Sequence, residues 1–107
     1  SHNRRDAMQA IIVCPDTKTI EEVEIAKGFE ALQKAVGGWI EGIYPEIAGK
    51  ATTVYVDEEG RFKANVRWKL CEWELLGKAV ILGPPSAAGN DTKVCVTPEE
   101  VKAAITW

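Results

Sequence analysis

The sequence has 107 residues, 46% of them hydrophobic, and a formal net charge of −3. This length and apolar content fit one domain with its own core and exclude a wholly disordered chain. The acidic balance argues against a nucleic-acid-binding role, which relies on basic residues to neutralise phosphates. No apolar run approaches the roughly 20 residues of a membrane helix, so we expect no membrane association.

The first residues are polar and differ from the rest of the chain. Ser1 and His2 are typical of an expression-tag remnant, and basic residues follow at Arg4 and Arg5. We therefore expect residues 1–7 to be a tag remnant and disordered leader, and residues 8–107 to form a single domain.

The first predicted unit is a β-hairpin. Met8–Cys14 has the composition of a largely buried strand, and Thr19–Ile25 resumes with β-branched residues and glutamates. Pro15–Lys18 between them contains Pro and Asp, which favour a turn.

The second predicted unit is a short helix that turns sharply into a strand. Apolar residues from Phe29 to Val36 recur with helical spacing. Gly37 and Gly38 follow at the position of a left-handed helix cap, a conformation that glycine adopts at little cost. We therefore predict that both glycines are structural and have positive φ. Trp39–Tyr44 then reads as a strand of bulky residues.

The middle of the chain predicts a loop and a second hairpin. Glu46–Lys50 reads as the loop, and Ala51–Val56 reads as a strand rich in β-branched residues. Asp57–Gly60 is an acidic tight turn, after which Arg61–Ala64 is predicted to return antiparallel to the strand before it.

The segment Asn65–Leu76 fits two patterns. Val66, Trp68 and Leu70 alternate as in a strand, whereas Leu70 and Trp73 also fit one face of a helix. We expect an irregular or short helical segment here.

The last third predicts a strand, a loop, a brief strand and a helix. Gly77–Gly83 is the strand, Pro84–Asp91 has the composition of a loop, and Lys93–Val96 is the brief strand. Thr97 followed by Glu100 forms the pattern of a helix capping box.

These elements predict a small α+β domain, with a mostly antiparallel sheet and two short helices. A β-grasp-like topology gives the same order of elements, as do several unrelated α+β folds. In the β-grasp alternative the first strand pairs in parallel with a later one, through a right-handed crossover.

Several segments together resemble a known family. The most specific is Leu32–Glu41, with the order Leu-Gln-Lys-Ala-Val-Gly-Gly-Trp-Ile-Glu, and Ala10–Cys14, Val54–Gly60 and Gly77–Gly83 add to it. The chain resembles a family of small proteins of unknown function that is common in bacteriophages and mobile elements. That family often has a Pro-Asn-Arg-type segment where this chain has Ala64–Trp68. The resemblance implies a phage or prophage accessory protein acting in the host cytoplasm, and it supplies no catalytic residue.

The inventory of reactive side chains argues against an enzyme. His2 is the single histidine and lies in the predicted leader, so no Ser/His or Cys/His nucleophile system can form in the domain. Cys14, Cys71 and Cys95 are odd in number and widely spaced, which predicts buried thiols in a reducing cytoplasm rather than a zinc site or disulfides. We expect no catalytic residue, no metal and no cofactor.

The tryptophans indicate where a partner could bind. Arg67, Trp68, Lys69 and Trp73 mix aromatic residues with charge, a composition typical of contact surfaces. Trp68 is the candidate for exposure, and a structural role, a protein contact and ligand stacking are its three alternatives; Arg67 and Trp68 together are the predicted protein-binding pair. Trp39 and Trp73 are expected in the core or at its rim. The predicted function is binding of a host or phage protein. The alternative is a small-molecule or nucleotide-binding, sponge-like oligomer.

Overall fold

The computed structural model of the chain describes residues 7–60, 63 and 66–107. Residues 1–6 of the predicted leader therefore lie outside the described residues, and the first strand begins at Ala7. The predicted return strand Arg61–Ala64 also lies outside them, apart from Lys63.

The described residues form an α+β domain with antiparallel sheets, as predicted. In chain order the elements are β1 Ala7–Cys14, β2 Thr19–Ala26, α1 Phe29–Val36, β3 Ile40–Ile43, β4 Glu46–Ile47, β5 Lys50–Ala51, β6 Thr53–Asp57, β7 Arg67–Leu70, β8 Trp73–Leu76, β9 Ala79–Leu82, α2 Pro98–Ala104 and β10 Ile105–Thr106.

A five-stranded sheet forms the centre of the fold, with the strand order β2-β1-β9-β6-β3. The predicted hairpin is confirmed, since β1 pairs with β2 from Ala7 opposite Ala26 to Cys14 opposite Thr19. The β-grasp-like alternative is wrong, because the other neighbour of β1 is β9 and that pair is also antiparallel. Within the part of the chain that the structure describes, the two edges of this sheet are β2 and β3.

Each face of the central sheet is covered by a different layer. On one face, Met8, Ala10 and Val80 pack with Leu32 and Val36 of α1. On the opposite face, a second sheet with the order β10-β7-β8 lies together with α2. The core of this face includes residues from both layers, among them Ile11, Val13, Val54, Val56, Ala79, Ile81, Trp68, Leu70, Leu75 and Val101. Alternate residues of β1 and β9 thus enter two separate cores.

The segment predicted to be irregular or helical is a β-hairpin. Strands β7 and β8 pair antiparallel from Arg67 opposite Leu76 to Leu70 opposite Trp73. The turn between them, residues 71–72, places Cys71 at a φ of 54°. The expectation was wrong because strand alternation, which buries Trp68 and Leu70, decides the conformation.

Two shorter elements also differ from the prediction. The predicted loop Glu46–Lys50 contains the small hairpin β4–β5, in which Ala48 and Gly49 have φ values of 54° and 76°. Positive φ at both turn residues suits the right-handed twist of a hairpin. The predicted strand Lys93–Val96 is absent, although the Val94 N–H donates a hydrogen bond to the Gln9 carbonyl at 2.9 Å.

The start of α2 is confirmed. The Thr97 hydroxyl accepts a hydrogen bond from the Glu100 N–H at 3.1 Å, and the Glu100 carboxylate accepts one from the Thr97 N–H at 2.9 Å. Both partners of the capping box are therefore in place.

The two glycines after α1 differ from each other. Gly37 forms the predicted left-handed cap, with a φ of 93° and its N–H donating to the Gln33 carbonyl at 2.8 Å. Gly38 does not have the predicted positive φ. A Cβ atom at Gly38 would lie 2.9 Å from both Asp57 Oδ1 and Lys63 Nζ, so a side chain at this position would force these two groups to shift.

Candidate functional site

The predicted binding residues do not form one surface. Trp68 is 1% exposed and belongs to the core, so its predicted exposure is wrong. Its indole Nε1–H donates to the Gly77 carbonyl at 2.7 Å, and its ring centroid lies 5.9 Å from that of Trp107. Arg67 and Lys69 are exposed and alternate with it along β7. Strand alternation thus separates the two cations from the indole between them.

Trp73 is the predicted aromatic site residue that remains exposed. It lies in β8, opposite Leu70 of β7, and is 44% exposed. Its neighbour Glu74 accepts a hydrogen bond from Arg67 at 3.3 Å, and both side chains of this ion pair are largely exposed. Trp73 lines one side of a groove, and residues of β3 and β6 line the other side.

Strand β3 is an edge of the central sheet with backbone groups that point outward. The Glu58 N–H donates to the Trp39 carbonyl at 2.7 Å, so Trp39 and Glu58 form a hydrogen-bonded pair across β3 and β6. Because hydrogen-bonded pairs alternate in an antiparallel ladder, the backbone N–H and C=O groups of Ile40 and Gly42 point away from β6. Among the described residues, no strand pairs with this outer side.

Exposed aromatic residues flank both ends of β3. Trp39 immediately precedes the strand and is 59% exposed, and Tyr44 immediately follows it and is 63% exposed. The Trp39 ring also lies 6.3 Å from the ring of Phe29, which is itself 54% exposed. Trp and Tyr are enriched at protein-binding hot spots.

A groove of about 860 Å³ runs along α1 beside Trp39. We call it the aromatic groove, lined among others by Lys27, Glu30, Lys34, Gly38 and Trp39. Two lysines against one glutamate give its rim a net positive charge.

A second groove of about 500 Å³ lies between β3 and β8, on the opposite face of the central sheet. We call it the acidic groove, lined by Glu41, Ile43, Val56, Asp57, Glu58, Gly60, Trp73, Glu74, Leu75 and Leu76. Asp57 pairs with Lys63 at 2.6 Å, and Glu74 pairs with Arg67. The carboxylates of Glu41 and Glu58 have no cationic partner among the described residues.

Gly42 allows two tyrosines to lie against the edge strand. A Cβ atom at Gly42 would lie 3.3 Å from Tyr55 Cε1 and 3.4 Å from the Tyr44 hydroxyl. The Tyr55 hydroxyl donates to Asp91 Oδ1 at 2.6 Å, and burial together with this carboxylate raises the pKa of Tyr55 far above its ordinary value. Tyr55 is therefore a neutral hydrogen-bond donor that fixes its ring over β3.

The prediction of buried thiols is wrong for two cysteines. Cys71 and Cys95 are exposed and Cys14 is half-buried, because Cys71 lies in a turn and Cys95 lies outside any strand. The Thr17 hydrogen bond lowers the pKa of Cys14, and burial raises the pKa of Cys71. In the described ranges, no three His, Cys, Asp or Glu side chains are grouped so that they could hold a metal ion.

Comparison with known families matches residues 8–105 of the chain to a domain of unknown function, DUF3846. The chain belongs to the DUF3846 family. Searches of curated proteins and of solved structures found no match for this DUF3846 chain. No helix of the DUF3846 domain, within the described residues, has the length and apolar composition needed to cross a membrane.

The geometry of this DUF3846 domain places its candidate site at the outer edge of β3, where sequence reasoning did not place it. That reasoning assigned Trp39 to the core or its rim and did not single out Glu41 or Tyr44. A signal was present, since Trp39 and Tyr44 bracket a segment that contains Glu41 and Gly42 and ends at Pro45, as an edge strand can.

Proposed function

We propose that this DUF3846 domain is a non-enzymatic protein-binding module whose partner adds a strand to the outer edge of β3. One observation carries the proposal, namely the outward backbone groups of Ile40 and Gly42 between the exposed rings of Trp39 and Tyr44. In strand addition, backbone hydrogen bonds supply affinity, and pockets for alternate side chains supply specificity. The acidic groove includes Glu41 and Ile43 of this edge and suits that second task, whereas the aromatic groove lies along α1 and reaches the edge only at Trp39.

The biological setting that we propose is a phage or mobile element whose accessory protein binds a host or phage protein in the host cytoplasm. The resemblance in Leu32–Glu41 supports it, because this string contains Gly38, Trp39 and Glu41 of the edge. Interference with a host defence, or redirection of host machinery, is the kind of role that such an interaction would serve.

The test is capture of a partner from host lysate by the wild-type protein and by Gly42→Pro. Proline removes the outward N–H of residue 42, and it is tolerated in edge strands because that group is not needed within the sheet. Gly42→Ala is the matched control, because it adds the same Cβ atom beside Tyr55 but keeps the N–H group. We expect the partner to be lost only with Gly42→Pro. Equal recovery by both folded variants would contradict the proposal.

The aromatic groove supports a second candidate function, binding of a nucleotide-like ligand. The indole of Trp39 is exposed for stacking against a base, and Lys27 and Lys34 on the same groove could pair with phosphates. Native mass spectrometry of the protein purified from infected cells would detect a retained ligand. Loss of that ligand in Trp39→Ala, but not in Trp73→Ala, is the result expected if this groove holds it.

A further inference from the structure

The residue at the centre of the outer edge of β3 is acidic. Glu41 lies between Ile40 and Gly42, the two residues whose backbone groups point outward. A strand that bonds to both of them in antiparallel fashion places one of its own residues directly opposite Glu41. That position is a non-hydrogen-bonded pair, in which the Cα atoms approach to about 4.5 Å and the side chains lie close together.

This geometry disfavours a second copy of the chain as the occupant. In a symmetric pairing of two β3 strands, the register that uses every outward group places Ile40 opposite Gly42 and therefore Glu41 opposite Glu41. Like charges directly opposite each other destabilise an antiparallel pair. Glu58 lines the same groove as Glu41, so the negative charge on each copy would add to this repulsion.

The same geometry favours a cationic residue opposite Glu41. Glu41 pairs with Val56 and Ile43 pairs with Val54, so Glu41 belongs to the face of the sheet that borders the acidic groove. A lysine or arginine opposite it would enter that groove between two carboxylates that have no cationic partner among the described residues. The exposed ring of Trp73 lines the groove as well and could accept a cation–π contact.

We propose that the occupant of the β3 edge is an extended segment of another protein with a lysine or arginine directly opposite Glu41. This inference rests on the proposed function and specifies the chemistry of its partner. Backbone pairing with Ile40 and Gly42 sets the register, and Glu41 and Glu58 select the charge.

The test uses two short synthetic peptides in fluorescence anisotropy. In the first peptide, lysine occupies every second position and threonine or valine occupies the positions between. In the second peptide, glutamate replaces each lysine. Glu41 should attract the lysine peptide and repel the glutamate peptide, and each effect should have the free energy of an exposed ion pair or somewhat more. We therefore expect the lysine peptide to bind about tenfold more tightly. Raising the salt concentration should reduce this preference, because exposed charges are screened.

Variants of single residues separate the charge from the backbone. Glu41→Gln should lose most of the preference and Glu41→Lys should reverse it, whereas Glu22→Gln on the opposite edge strand β2 removes one exposed glutamate and should change nothing. Gly42→Pro should abolish binding of both peptides and Gly42→Ala should not. The Glu41 variants keep the test valid if Gly42→Pro does not fold.

The other outcomes overturn the inference in distinguishable ways. If the glutamate peptide binds as well as the lysine peptide, and Gly42→Pro abolishes both, the edge binds strands but the charge selection is wrong. Absence of lysine-peptide binding at millimolar concentration overturns the inference, whereas the capture experiment with Gly42→Pro decides the proposed function separately. A wild-type dimer that Gly42→Pro dissociates, measured by light scattering, would assign the edge to a second copy.

Discussion

Trp68 and Arg67 are neighbours in β7, but their truncation to alanine is predicted to lower stability by very different amounts. Trp68 is fully enclosed by the second core and donates its indole N–H to the Gly77 carbonyl at 2.7 Å. We expect Trp68→Ala to lower the free energy of unfolding by about 3–5 kcal/mol, the range for truncation of a large buried aromatic residue. A small domain has roughly 5–15 kcal/mol in total, so this variant should be at the limit of folding.

One further variant isolates the hydrogen bond of Trp68, and a second serves as the exposed neighbour for comparison. Trp68→Phe retains an aromatic ring but leaves the Gly77 carbonyl without its donor, and such an unpaired group costs about 1–3 kcal/mol. Arg67→Ala removes only the exposed ion pair with Glu74, which is worth about 0–1 kcal/mol.

The assay for these three variants is urea denaturation, with stability taken from the midpoint at an unchanged slope. A loss below about 1 kcal/mol in Trp68→Ala would contradict the burial of this side chain. Equal losses in Trp68→Ala and Arg67→Ala would contradict the alternation that separates the two residues.

Five other substitutions follow from local geometry. Gly37→Val should lose about 1 kcal/mol or more, because a β-branched residue cannot hold a φ of 93°, and a melting temperature equal to that of the wild type would refute this. Gly38→Val should also lower the stability of the fold, here because its side chain contacts the Asp57 carboxylate. Gly38→Ala should lower stability less, through the same contact. Thr97→Ala should lose about 1 kcal/mol with its cap, measured by thermal unfolding. The Thr97 N–H, and then Lys50, lower the pKa of Glu100, so its stabilising contribution is present above the unfolded-state pKa and is lost as the pH falls through the lower folded-state pKa. The stability difference between the wild type and Glu100→Gln should therefore shrink on acidification through that window.

Short-range signals account for the elements that the sequence predicted correctly. The turn in Pro15–Lys18 fixes the β1–β2 hairpin, the helical spacing ends at Gly37, and the Thr97 capping box begins α2. Each signal acts over only a few residues, because the side chains that cause the turn, the helix end or the helix start lie within that same short stretch of sequence.

The β7–β8 hairpin was missed because its turn lacks the residues that usually mark one. Residues 71–72 are Cys and Glu, yet Cys71 adopts a φ of 54° where Asn or Gly is usual. Without a turn signal, the spacing through Leu70 and Trp73 looked helical. The alternation of Trp68 and Leu70 was the correct indication, and burial under the central sheet decides it.

The candidate site could not be located from the sequence, because strand order is a long-range property. Whether Trp39 and Tyr44 bracket a central strand or an edge strand depends on β6 and β9 being neighbours. That pairing places β3 at the outside of the sheet and leaves both aromatic residues exposed. Composition alone favours burial of such residues, so the prediction of a core or rim position for Trp39 followed the average behaviour of tryptophan.

The two edges of the central sheet are protected to different degrees, and this difference supports a binding role for β3. Edge strand β2 spans eight residues with three exposed glutamates, and α2 packs against it. Edge strand β3 spans four residues and has one charge, Glu41, between aromatic residues at both ends. Charges on an edge discourage pairing with other chains. A single central glutamate still opposes self-pairing in the register that uses every outward group, and it leaves the backbone of Ile40 and Gly42 open to a strand of complementary charge.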